Sequence, residues 1–271
     1  MIRPEFSKEN IMPVKKRGII AGILTILVIL TVLCPGSALF AQSTLNIGWS
    51  EGPQAGMNPF LARSEGDYLF LGLIYEPLAM PNMDGSVKPW IARSWTYDEP
   101  SMTWTFELDS RARWSDGRPI TGRDVKFSFE TAYKYNFPLG SPTQGFVESI
   151  STKGDHTVIF KMKKPFAAFL MLAGGTLIMP EHIWSQVEKI DLHKNTNPVG
   201  SGPFLYQEFQ PRSHILLVKN TNYWKRDIKI DRVIIRIYQN LEAEVVALKK
   251  GELDAMPDLG GSESLIPVLK R

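Results

Sequence analysis

Residues 114–125 read Trp-Ser-Asp-Gly-Arg-Pro-Ile-Thr-Gly-Arg-Asp-Val. Asp116-Gly117 is a turn signal, because glycine reaches the backbone angles that a tight reversal needs. Thr121-Gly122-Arg123-Asp124 then opens a helix predicted to run through about Tyr135. Thr121 can accept a hydrogen bond from a free amide of the first turn, and the charge of Asp124 suits the positive helix start. Val125, Phe129, Ala132 and Tyr133 recur at helical spacing and form its buried stripe. Just upstream, Thr103–Leu108 (TWTFEL) alternates like a half-buried strand. The stretch therefore reads strand, turn, helix.

The same signals continue in both directions. Thr44–Ser50 starts like a strand and runs into a loop rich in breakers: Gly52, Pro53, Gly56 and Pro59. Asp67–Leu78 is apolar at helical spacing through Leu69, Phe70, Leu73 and Ile74, with Asp67 expected as its N-cap and Pro77 near its end. His156–Lys163 alternates again, and Phe166–Ala173 reads as a short apolar helix begun at Pro165. Strands are expected at Gly202–Phe209, His214–Lys219 and Arg232–Tyr238. Leu241–Lys250 is an amphipathic helix with Val245, Ala247 and Leu248 inward, stopped by Gly251. Glu252–Ala255 looks like the start of another strand. Short strands alternating with helices predict an α/β (mixed α+β) fold with a mixed sheet, and exclude a barrel or a bundle.

The first 41 residues stand apart. Lys15-Lys16-Arg17 precede an uncharged apolar run from Gly18 to Cys34, which Pro35-Gly36 and Ser-Ala-Leu-Phe-Ala-Gln follow. Basic, then apolar, then small is the order of a secretory signal, with cleavage expected after Ala41 and Ala38 as a second site. Residues 12–41 alone would form a more compact signal. An uncleaved membrane anchor at 18–34 is the alternative. Cys34, the sole cysteine, is preceded by Leu33, where lipidation wants a small residue. Once it is removed, the fold depends on its core and not on disulfides.

Charge divides the same way. The 271 residues carry 31 basic and 28 acidic side chains. Residues 1–41 hold five of the basic and two of the acidic, which leaves 26 of each in 42–271. A net charge of zero offers no nucleic-acid surface.

The four histidines, His156, His182, His193 and His214, are scattered and form no pair with metal-ligand spacing. Surface or capping roles are expected for them. Gly48-Trp49-Ser50-Glu51-Gly52 spells the G-x-S-x-G pattern of a serine-hydrolase elbow, which needs a helix directly after the serine. Pro53, Gly56 and Pro59 leave no room for one, so Ser50 is not read as a nucleophile and the chain not as an enzyme. The loop can instead line a cleft with the Ser50 hydroxyl, the Glu51 carboxylate and the amides near Gly52, or it can simply be solvated.

Several stretches taken together resemble the extracytoplasmic solute-binding proteins of peptide and nickel ABC importers, family 5. They are Met57-Asn58-Pro59, Ile74-Tyr75-Glu76-Pro77-Leu78, Pro89–Trp95, Thr103–Leu108, Trp114–Val125, Pro198–Phe204, Asn220–Trp224 and Leu248–Asp254. Trp114, Gly122 and Ser201 stand where Phe, Ala and Thr are common, and none of these removes a charge or a needed glycine. The resemblance spans 44–258.

It implies a periplasmic-binding-protein type II-like fold. Residues 42–83 and 199–258 would form the first lobe, 84–198 an extra subdomain, and 259–271 the start of a second lobe. Family members are about twice this length, so most of that second lobe and the acidic residue that grips a peptide amino terminus are expected to lie outside this sequence. The implied role is to capture peptides, or a related small solute, outside the cytoplasmic membrane for an ABC permease. The resemblance implies a monomer without cofactor or metal. Family members line the cleft from the loop after the first strand, which makes Ser50, Glu51, Gly52 and Asn58 the expected ligand-binding residues. A truncated, non-transporting fragment, or an anchored sensor or adhesion module reusing the lobe, are the alternatives.

Overall fold

The computed structural model describes residues 42–50 and 56–257. The expected signal segment, the Glu51 and Gly52 positions and the expected start of a second lobe lie outside these residues. β1 (Thr44–Trp49) belongs to a four-stranded sheet with β8 (Phe204–Gln210), β9 (His214–Lys219) and β10 (Arg232–Ile237), in the order β1-β10-β9-β8. Between β1 and β8 the chain builds an insert. It holds a small hairpin, β2 (Ala79–Pro81) with β3 (Val87–Pro89). It also holds an antiparallel sheet of β4 (Ala92–Asp98), β5 (Thr103–Leu108), β6 (Val147–Lys153) and β7 (Thr157–Met162), ordered β4-β5-β7-β6.

β1 pairs with β10 in parallel, Thr44 opposite Arg232 through Trp49 opposite Ile237. On its other edge the Gly48 amide donates to the Ala255 carbonyl at 3.0 Å, and Ile47 bridges Ala255 in parallel. The strand expected from Glu252 thus begins as a further neighbour of β1. Both edges of β1 are therefore covered, which suits its partly apolar sequence.

Four helices of six residues or more are described: α1 (Glu65–Leu71), α2 (Gly122–Tyr135), α3 (Phe169–Gly174) and α4 (Leu241–Lys249). α2 follows expectation. Val125, Phe129 and Ala132 are fully buried and pack it on the insert sheet, where the Phe129 and Phe160 rings meet edge to face at 5.0 Å. Truncating such a ring to alanine costs about 3–5 kcal/mol. The helix stops at Asn136, whose left-handed backbone (φ 54°) ends it. At its start Thr121 and Asp124 form a capping box, as expected of this pair. The Thr121 hydroxyl donates to Asp124 Oδ2 at 3.0 Å, and the Thr121 amide donates to the same oxygen at 2.7 Å.

α1 departs further. It begins at Glu65 and ends at Leu71, and its N-cap is Ser64, not Asp67. Ser64 Oγ accepts from the Asp67 amide at 3.0 Å, while Asp67 Oδ2 accepts from the Ser64 amide at 3.3 Å. Asp67 is the third helical residue of a reciprocal capping box. Residues 72–78 leave the helix because their backbone is needed elsewhere. The Ile74 carbonyl accepts from Gly202 at 2.8 Å and the Leu73 carbonyl from Phe204 at 3.1 Å. A β-carbon on Gly200 would stand 2.0 Å from the Ile74 carbonyl oxygen, so only glycine permits this approach.

The 114–125 stretch is tied down near its start. The Ser115 amide donates to the Gly200 carbonyl at 2.7 Å, and His182 Nε2 lies 2.8 Å from Asp116 Oδ2. His182 thus fastens a surface turn, as its position after Pro180-Glu181 suggests.

Candidate functional site at the carboxyl ends of β1 and β10

Parallel strands end on the same side, and their carboxyl ends are where open α/β sheets gather ligands. Here Trp49 and Ile237 end side by side, and the Tyr238 amide donates to the Trp49 carbonyl at 2.9 Å. Ser50 follows directly in a bend and is half-buried. Asn240 caps α4 on the same side, its Oδ1 accepting from the Ala243 amide at 2.9 Å. The end of the sheet therefore gathers Ser50, Tyr238 and the N-terminus of α4.

The floor beneath is close-packed. The Trp49 indole lies over the first turn of α1, where a β-carbon on Gly66 would come within 2.5 Å of it. The same ring sits 6.2 Å from the Phe70 ring. On the other face, a β-carbon on Gly48 would meet Glu244 Oε1 at 2.5 Å and Leu253 Cδ1 at 2.7 Å. Glycine at 48 lets α4 lie on β1, and glycine at 66 lets α1 lie on Trp49.

Of the four residues expected at a cleft, Ser50 is the one placed at this sheet end. Glu51 and Gly52 lie outside the described residues. Asn58 takes a different role from the one expected. Its side chain is buried, and its Nδ2 donates to the Ile190 carbonyl at 2.7 Å and the His193 carbonyl at 3.1 Å. Its Oδ1 accepts from the Phe60 amide at 3.1 Å and caps the short helical turn Pro59–Leu61. With both amide hydrogens and one acceptor site committed, Asn58 shapes the loop from behind rather than meeting a solute.

Asn195, which the sequence did not single out, completes that backing. It adopts a left-handed backbone (φ 48°), and its Nδ2 donates to the Met57 carbonyl at 2.6 Å and the Tyr75 hydroxyl at 2.8 Å. Burial holds the Tyr75 phenol well above its ordinary range, so it stays neutral. An asparagine three residues before Pro198-Val199-Gly200 is no stronger a signal than any turn residue.

The hydrolase pattern at Ser50 turns on residues 51–55, which lie outside the described residues. The first described helical turn after it begins at Pro59 and the first α-helix at Glu65. An elbow needs its helix amides next to the serine.

A second cluster went unread in the sequence. Glu76 is 1% exposed, and its carboxylate accepts from Trp90 Nε1 at 2.9 Å, Trp224 Nε1 at 2.7 Å and the Tyr223 hydroxyl. Burial pushes this carboxyl above its ordinary value, against the pull of the three donors and of Lys225. A glutamate inside the apolar run Ile74–Leu78 was the available signal.

Comparison with known proteins agrees with this architecture. Residues 86–266 match the family model described as bacterial extracellular solute-binding proteins, family 5 Middle. A putative ABC transporter peptide-binding protein of Brucella ovis is 29% identical over 228 residues, covering 79% of this chain and 42% of that protein. The probable D,D-dipeptide-binding periplasmic protein of Escherichia coli is 29% identical over 245 residues, covering 85% and 46%. Among solved structures, the substrate-binding protein CtaP of Listeria monocytogenes superposes with a TM-score of 0.73 at 28% identity, over 84% of this chain and 46% of that one. The chain therefore spans somewhat under half the length of the relatives it matches. It belongs to the family 5 bacterial extracellular solute-binding proteins.

Proposed function

We propose that the chain is the substrate-binding component of an ABC importer, capturing peptides outside the cytoplasmic membrane and delivering them to a permease. The observation that carries this is the shared carboxyl end of β1 and β10, which brings Ser50, Tyr238 and the capped start of α4 to one edge. A peptide offers an amide backbone and charged ends, and a hydroxyl, a phenol and free helix amides complement both. The names of the Brucella and Escherichia coli relatives point to the same solute class. In this reading Ser50, Glu51 and Gly52 contact the solute, and Asn58 supports their loop.

The chain then works by binding alone, shifting an open-closed equilibrium without chemistry. Residues 42–83 and 199–258 form one lobe and 84–198 the extra subdomain. Export follows from the basic-apolar-small order of the first 41 residues. Among the described residues no helix is long and apolar enough to cross a membrane.

The test is thermal unfolding of the protein purified from its native cells, scanned against pools of di- and tripeptides. A subset of peptides is expected to raise the midpoint, and Ser50→Phe is expected to abolish that rise. No response to any pool overturns the peptide reading. A response that Ser50→Phe leaves unchanged moves the site away from this edge.

A further inference from the structure

The cluster around Glu76 joins three parts of the chain, one of them more than a hundred residues from the other two. Glu76 follows α1. Trp90 ends the small hairpin of the insert, and Tyr223 and Trp224 lie in the connection between β9 and β10. Both carboxylate oxygens are used: Oε1 takes Trp90 and Tyr223, and Oε2 takes Trp224. Indole N–H groups donate only, so neither tryptophan has an alternative role in this arrangement.

The backbone of the same segment repeats the pattern. The Glu76 amide donates to Ser201 Oγ at 2.9 Å, and its carbonyl accepts from the Ile178 amide at 3.0 Å. Lys225 closes the outside, with its Nζ 3.3 Å from the centre of the Trp90 ring and 3.4 Å from the Pro89 carbonyl. A cation on the ring face draws electron density from the indole and strengthens its N–H as a donor. Asn220 holds the near end of the β9–β10 connection, donating from Nδ2 to the Gly202 carbonyl at 2.9 Å.

We infer that Glu76 is the fastener of the fold, a buried carboxyl group that locks the insert and the β9–β10 connection onto the segment after α1, so that the two sheets move as one body. A buried acceptor with several committed donors suits this role, because loosening either part strands a donor. The lock lies away from the carboxyl ends of β1 and β10. Any solute-driven movement is then directed elsewhere than between these sheets.

A glutamine at 76 cannot reproduce the lock. If its oxygen faces Trp90 and Tyr223, its NH2 faces the N–H of Trp224. If the amide is flipped, its NH2 faces the N–H of Trp90. One indole loses its acceptor either way.

The experiment places nitroxide labels on the two sheets, at Lys153→Cys on β6 and Gln210→Cys on β8, in a Cys34→Ala background. Pulsed electron resonance then reads the distance distribution between them. The parent should give one narrow distance. Glu76→Gln should at least double the width, and Glu76→Gln with Trp224→Phe should narrow it again, since the opposed donor is gone. Trp90→Phe, a milder change, should broaden it if Glu76→Gln does not fold. Phe129→Leu, which loosens the insert core away from Glu76, serves as the control and should leave the width unchanged. An unchanged width in Glu76→Gln or, where that variant does not fold, in Trp90→Phe overturns the inference. Equal broadening in the Phe129→Leu control overturns it as well.

Discussion

Asn195 holds Met57: its side-chain amide donates to the Met57 carbonyl at 2.6 Å from a backbone with φ of 48°. The second hydrogen of the same amide reaches the Tyr75 hydroxyl at 2.8 Å. One asparagine thus ties the chain leaving the loop after β1 to the last segment of the insert. Asparagine suits the position twice over, since it tolerates the left-handed backbone and supplies two donors.

Replacing it separates these contributions. Asn195→Gly keeps the backbone freedom and loses the bonds, leaving a buried carbonyl without its donor at a cost of about 1–3 kcal/mol. Asn195→Ala adds the strain of a left-handed alanine, roughly 1 kcal/mol more. Urea unfolding of the two variants should show alanine the less stable. Equal stability would mean that the left-handed backbone relaxes on substitution.

The glycines of Gly200-Ser201-Gly202 face the backbone of 73–74 and cannot carry a side chain. A β-carbon at 200 would sit 2.0 Å from the Ile74 carbonyl oxygen, and one at 202 would sit 2.5 Å from that of Leu73. Gly200→Ala should therefore cost more than about 4 kcal/mol or prevent folding. Gly145 has ordinary backbone angles and open space around its α-carbon. Gly145→Ala should be neutral or raise stability by about 0.4–1 kcal/mol through the unfolded chain. Soluble yield and thermal midpoint of the two variants check the contrast.

Which elements were legible follows from how regular they are. Thr103–Leu108, His214–Lys219 and α2 emerge with their expected bounds to within a residue, because period and burial agree there. The edge strands β4 and β6 were not read, and each carries a bulge, between Ala92 and Ser94 and between Val147 and Ser149. A bulge inserts one residue, so buried Val147 and Ile150 stand three apart and the period of two is lost. The apolar spacing runs past the end of α1 because half-buried Leu73 and buried Ile74 pack through other contacts after the helix has ended. At the candidate site, what backs the loop after β1 was not legible. Asn58 and Asn195 there, and Glu76 elsewhere through Trp224, take partners more than a hundred residues away, which no local spacing encodes.

Two exposed aspartates pin β1 and should give the fold an acid-labile edge. Asp231 accepts from the Ser43 amide at 2.9 Å, and Asp254 accepts from the Asn46 amide at 2.7 Å. These bonds hold both carboxyls below the ordinary 3.8. A lowered folded value means that the contribution is present above pH 3.8 and is lost as pH falls through the folded values. Asp231→Asn with Asp254→Asn should flatten the acid limb of the stability profile below pH 3.8, followed by circular dichroism from pH 5 down to about 2. An unchanged limb would show that other carboxylates govern acid unfolding.

Glu76 works with the opposite sign. Burial raises its folded value above the ordinary 4.5, although Tyr223, Trp224, Lys225 and Trp90 all favour the ionised form. Behind Lys225 stand Arg226, Asp109 and Arg111, and burial lowers the lysine itself. For a raised acid, the stabilising share is complete below pH 4.5 and is lost as pH rises through the folded value. Glu76→Gln removes this titration while introducing one opposed donor pair at every pH. Parent and variant should therefore differ most in thermal midpoint near pH 4.5, with the gap narrowing as the parent's carboxyl ionises. A gap that widens on going to neutral pH would mean that the three donors outweigh burial and that Glu76 stabilises the fold as a charge.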